Sequence, residues 1–82
     1  MTREELVVVV TSIIRDLLDD ETLALTDSTV ASDVPGWDSF NHIQIIVATE
    51  KRLGVRFRTH EIEGLANFGD FISLLSEKTN SI

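Results

Sequence analysis

"PGWDSFNHIQIIVATEKRLG", residues 35–54, is the stretch on which the fold turns. Pro35-Gly36 bends the chain, Asp38 is a residue type that caps helix starts, and Gly54 is one that ends them. Between them Phe40, Ile43, Ile46/Val47 and Leu53 recur at helical intervals, so the stretch reads as a helix over residues 39–53 with an apolar stripe for a core.

Upstream, Thr2 and Glu5 form a T-x-x-E capping box, in which each side chain satisfies an orphan backbone N–H of a new helix. Leu6, Val9/Val10, Ile13/Ile14 and Leu17/Leu18 then repeat at helical spacing up to Asp19-Asp20, giving a first helix over residues 3–18. The β-branched run Val7 to Val10 also suits a strand, but regular spacing over four turns decides for helix. Residues 19–37 hold Thr, Asp, Ser, Pro and Gly with scattered Leu23, Leu25, Val30 and Val34. They read as a long loop pinned to the core by those four side chains, and a loop of this length in a compact domain is usually functional.

Downstream, Val55 to Arg58 is a short extended link, and Thr59 is expected to cap a brief helical turn around residues 61–66. Asn67 with Asp70 opens a last helix whose Phe68, Phe71, Ile72, Leu74 and Leu75 complete the apolar surface. The expected architecture is all-α: a small four-helix bundle of three longer helices and one short one, with a long loop between helices one and two. The 82 residues are expected to make one domain and a monomer.

Composition narrows the chemistry. No cysteine is present, so a disulfide framework, a Cys-based zinc site and a protein thiol are all excluded. His42 and His60 stand far apart in sequence and are expected on the surface, and no metal site is read. The acids of residues 19–33 do not follow the spacing of an EF-hand loop. Leu6 to Val10 is far too short for a membrane span, and no basic segment with a small-residue cleavage site precedes it, which makes a cytoplasmic protein the expectation.

The formal charge is -7, and it is unevenly placed. Residues 1–38 carry nine acids against Arg3 and Arg15, whereas residues 39–82 carry five charges of each sign. A global excess of acid disfavours nucleic acid and anionic membrane surfaces as partners. Lys51, Arg52, Arg56 and Arg58 nevertheless form a local cationic cluster, suited to a protein or a phosphate.

Two readings of Asp38-Ser39 stand side by side. In the first, Asp38 caps helix two and Ser39 is a tolerated first-turn residue. In the second, the exposed hydroxyl of Ser39 carries a phosphodiester, set against unpaired backbone N–H groups at the positive end of the helix dipole. Phe40 would then anchor the helix start in the core. Nucleophilic catalysis by Ser39 fits poorly: there is no G-x-S-x-G elbow, and His42 three residues on has no orienting carboxylate. The chain is also too small to enclose a substrate pocket of ordinary size.

The stretch "VPGWDSFNHIQIIVATEKRLGVRF", residues 34–57, is similar to the attachment region of acyl carrier proteins, whose D-S-L signature stands here as Asp38-Ser39-Phe40. The likeness runs through nearly the whole chain, from the amphipathic first helix to the closing fourth. It implies that Ser39 receives 4'-phosphopantetheine from coenzyme A through a separate magnesium-dependent phosphopantetheinyl transferase, with Asp38 as helix cap and transferase-recognition residue. The arm's thiol would hold an acyl group as a thioester for acyl-loading and acyl-processing enzymes, the chain itself being non-catalytic. Phe40, Asn41, Gln44, Val47 and Lys51 would face those partners. Ile43, Val47, Phe57, Ile62 and Leu65 would line an acyl pocket or else serve simply as core.

One departure from that family is plain. Its fatty-acid-synthesis members carry an acidic second helix that docks on basic patches, whereas residues 38–53 hold Asp38 and Glu50 against Lys51 and Arg52. Asn41, Gln44 and Lys51 stand where acids are usual. The expectation is a specialised carrier for a dedicated fatty-acid, polyketide, unusual-lipid or surface-glycan pathway. Alternatives are an aminoacyl or peptidyl carrier, which the acyl-type Asp38 disfavours, and an unmodified helical interaction module.

Overall fold

A computed structural model of the chain describes residues 1–80, which form four α-helices and no strand among the described residues. The helices are α1 (Arg3–Leu18), α2 (Ser39–Leu53), α3 (Thr59–Glu63) and α4 (Phe68–Asn80). The bounds of α1 and α2 agree with those read from the caps. Thr2 Oγ1 accepts the Glu5 N–H at 3.1 Å while the Thr2 N–H donates to Glu5 Oε1 at 2.9 Å, the reciprocal pair expected of a capping box. At the other end Asp19 takes a left-handed φ of 53°, and the N–H of Asp20 closes on the Arg15 carbonyl at 3.0 Å. Gly54 ends α2 at φ 68°, with open space where a Cβ would stand, so backbone conformation alone favours glycine there.

The core is built from α1, α2 and α4. Leu6, Val10 and Ile14 of α1, Ile45 and Ile46 of α2, and Phe68, Phe71, Ile72 and Leu75 of α4 are buried together. α1 packs against both α2 and α4. The buried stripe of α2 keeps Ile46 and the partly buried Leu53 of the expected one but differs elsewhere: Phe40, Ile43 and Val47 are exposed, and Ile45 and Thr49 face inward. Because α2 is apolar on two sides, spacing alone did not choose between them. Thr49 tolerates full burial because its hydroxyl donates to the Ile45 carbonyl at 2.8 Å, leaving no unpaired polar atom.

Two further expectations shift. α3 begins at Thr59 and ends at Glu63, earlier than the turn expected around residues 61–66. Its start is set by Glu61, whose carboxylate accepts the Arg58 N–H at 2.8 Å, so Thr59 is its first helical residue and not its cap. The loop of residues 19–37 contains a 3-10 turn at Ala31–Asp33.

That loop is fastened from both sides. Arg15 Nε donates to the Leu23 carbonyl at 2.7 Å, and of the four apolar side chains expected to pin the loop Leu23, Leu25 and Val34 sink toward the core, while Val30 is half-buried without joining the residues packed on it. The Thr29 and Asp27 carbonyls accept the first N–H groups of α4, from Phe68 at 2.8 Å and Gly69 at 3.0 Å. At Gly69 an added Cβ would lie 2.9 Å from the Asp27 backbone oxygen, so this close approach requires the missing side chain. Asn67 completes the cap, its Oδ1 accepting the Asp70 N–H at 2.8 Å. The loop thereby holds the approach to α2 in one place, and α2 begins at Ser39.

Candidate functional site

Ser39 is the first residue of α2 and is exposed. Asp38 precedes it in extended conformation, with its Oδ1 accepting the Asn41 N–H at 2.8 Å. The Asp38 carbonyl takes the His42 N–H at 2.8 Å. Asn41 braces the preceding turn by donating its side-chain amide to the Gly36 carbonyl at 2.7 Å, and Gly36 bends the chain at φ 86°. The start of the helix is therefore fixed by side chains on either side of Ser39, while the Ser39 hydroxyl bonds to no described residue.

The chemistry of this end suits a phosphodiester on Ser39. The N–H groups of Ser39 and Phe40 belong to the first turn, where no helical carbonyl precedes them as acceptor. Together with the helix dipole they favour a negative group. No acid lies within the first turn, and the Asp38 carboxylate, the nearest like charge, is turned onto the Asn41 N–H.

On the inner side Trp37 and His42 come together, which was not expected of His42. The indole N–H of Trp37 donates to His42 Nδ1 at 3.0 Å, and both side chains are half-buried. This pair borders a cavity of about 60 Å³, lined also by Ile45, Ile46, Leu65 and Phe71. Of the five residues read as acyl-pocket candidates, Leu65 lines this cavity. Ile43 and Val47 are exposed on α2. Phe57 and Ile62 are partly buried against the core, with the Phe57 ring 5.6 Å from that of Phe71. The Trp37 and His42 walls of the cavity do not show in the sequence as a pair, because they flank the D-S pair and meet only when the helix start folds. Their five-residue separation across a helix start was the available signal.

The residues read as partner-facing divide in the same way. Phe40, Gln44, Val47 and Lys51 are exposed, but Asn41 is half-buried and occupied in the turn. Phe40, at 70% exposure, does not anchor the helix start in the core, since the Trp37–His42 pair occupies the inner side there. His60 is exposed, as expected. Among the described residues, no group of three or more His, Cys, Asp or Glu could hold a metal ion, and no helix is long and apolar enough to cross a membrane.

No protein-family model matches the chain. Among solved structures it is similar to the holo acyl carrier protein of Geobacter metallireducens, determined in solution by NMR. The two superpose with a TM-score of 0.83 at 35% sequence identity, over 88% of this chain and 83% of the other.

Proposed function

Because the chain belongs to the acyl carrier protein family, we propose that it carries acyl intermediates as thioesters on a 4'-phosphopantetheine arm attached to Ser39. The observation that carries this reading is the free, exposed Ser39 hydroxyl at the first position of α2, held there by the Asp38 cap and the Asn41 brace. Attachment joins Ser39 Oγ to the pantetheine phosphorus of coenzyme A, breaks the pyrophosphate bond and releases the bisphosphorylated adenosine, the hydroxyl proton passing to the transferase. The arm supplies the thiol that this cysteine-free chain lacks. The chain's own residues hold the attachment point rigid and present it, and the bond-making chemistry belongs to partner enzymes.

The cargo belongs to a dedicated pathway, whether of fatty acids, polyketides or unusual lipids, and not to general fatty-acid synthesis. Support for this lies in α2, where Glu50 stands against Lys51 and Arg52. Intact mass after incubation with coenzyme A, magnesium and a promiscuous phosphopantetheinyl transferase tests the attachment. A single phosphopantetheine adduct is expected on the wild type and none on Ser39→Ala. No adduct with several transferases would return Asp38-Ser39 to the role of a helix cap in an interaction module.

A further inference from the structure

The outward face of α2 bears on the kind of enzyme this carrier meets. Phe40, Ile43 and Val47 are 70%, 54% and 40% exposed. They stand at i, i+3 and i+7, one stripe of the helix, while Ile45, Ile46 and Thr49 on the other side fill the core. A helix apolar on two sides has one more apolar face than its own bundle covers.

Charge tells what covers it. Ser39 lies at one end of the stripe; Gln44 and Lys51 extend it, and no carboxylate stands within it. Glu50 is the one acid of α2, and its Oε2 accepts the Phe57 N–H at 2.9 Å, which ties it to the link after the helix. At the far end of the stripe and past it, Lys51, Arg52, Arg56 and Arg58 are all exposed, and none makes an ion pair with a described residue. The two ion pairs among the described residues, Arg3 with Asp27 and Lys78 with Glu61, use other cations.

We propose that the enzyme groove that receives Phe40, Ile43 and Val47 carries an acidic rim where Lys51 and Arg52 arrive, the reverse of the basic patch that an acidic second helix would meet. The orientation rests on the attachment of the arm at Ser39, which places the Ser39 end of the stripe at the enzyme's active-site entrance and the cationic end away from it. A carboxylate rim is complementary to the cationic end of α2 and steers the encounter. A basic rim is repelled by the same cations, with no acid on the stripe to offset them, so the surface selects its partner by rejection as well as by fit.

The test uses a fatty-acid-synthesis acyltransferase with a basic docking patch as one probe, and the same enzyme with the patch cations replaced by glutamate as the other. Each is titrated into the isotope-labelled, unmodified protein and followed by amide shifts. Docking is thereby read whether or not Ser39 accepts the arm, and failure of attachment shows separately in the mass experiment. The charge-reversed enzyme is expected to bind about tenfold more tightly than the native one. Shift changes should concentrate on residues 39–52. The variant Lys51→Glu/Arg52→Glu should invert the preference, and Ile43→Ser/Val47→Ser should weaken both complexes alike. These side chains are exposed, and retention of the amide spectrum verifies that each variant folds. Equal or absent binding to the two probes, tighter binding to the native one, or shifts on another face would overturn the proposal. So would sedimentation showing that the protein alone dimerises through this stripe, because its occupant would then be a second copy.

Discussion

The indole N–H of Trp37 donates to Nδ1 of His42 at 3.0 Å, and the two rings lie 6.2 Å apart, inclined by 30°. With Nδ1 accepting, the neutral imidazole carries its proton on Nε2. The bond joins the end of the long loop to the first turn of α2, across the residue that presents its hydroxyl. His42→Ala is expected to lower stability by about 1 kcal/mol, the net value of such a bond. Trp37 is the single tryptophan, so its emission reports the contact directly and should shift to the red. Unchanged emission and an unchanged denaturation midpoint would show that the pair contributes nothing to the loop's position.

Asp38 and Ser39 are adjacent but should behave oppositely on truncation. Asp38→Ala removes the acceptor of the Asn41 N–H and should cost about 0.5–2 kcal/mol in urea unfolding. Ser39→Ala removes an exposed, unbonded hydroxyl and should change stability by less than about 0.5 kcal/mol. Comparable losses in the two variants would mean that Ser39 has a structural role.

The two apolar faces of α2 can be separated by the same measurement. Ile45→Ala opens a cavity at a fully buried position and should cost about 2–5 kcal/mol. Phe40→Ser and Ile43→Ser, on the exposed side, should each stay within about 0.5 kcal/mol of the wild type. A large loss at Phe40 would restore it to the core.

Acid should weaken the fold through two glutamates. The Arg58 N–H, and after it the Lys78 side chain, hold the Glu61 carboxyl below its ordinary value of 4.5. Glu5 is held below the same value first by the Thr2 N–H. A carboxyl depressed in the folded state contributes stability that is fully present above its unfolded pKa and is lost as pH falls through its folded pKa. The urea midpoint should therefore decline on acidification from about pH 4.5 downward, and less steeply in Glu5→Gln/Glu61→Gln. An identical decline in the variant would assign the acid sensitivity to other groups.

Much of the fold was legible because it depends on neighbours in sequence. The Thr2–Glu5 box, the Asp38 and Asn67 caps and Gly54 each act within a few residues, and they placed α1, α2 and the start of α4. The start of α3 was misplaced because Glu61 competes with Thr59 for control of that helix start, and the carboxylate bond to the Arg58 N–H prevails. The D-S pair was equally legible. The setting of Ser39 depends on residues before and after it, and so do the walls of the adjoining cavity.

Local residue order specifies an all-helical chain of four segments, their caps, a cysteine-free composition and a serine at the head of the second long helix. Which apolar side of α2 is buried follows from packing between helices. That packing turned Ile45, Ile46 and Thr49 inward against α1 and α4, left Phe40, Ile43 and Val47 outside, and brought His42 onto Trp37. The reason is that helical periodicity identifies a face only when a helix has one apolar side. α2 has two, and the choice between them is made by the shapes that close the core.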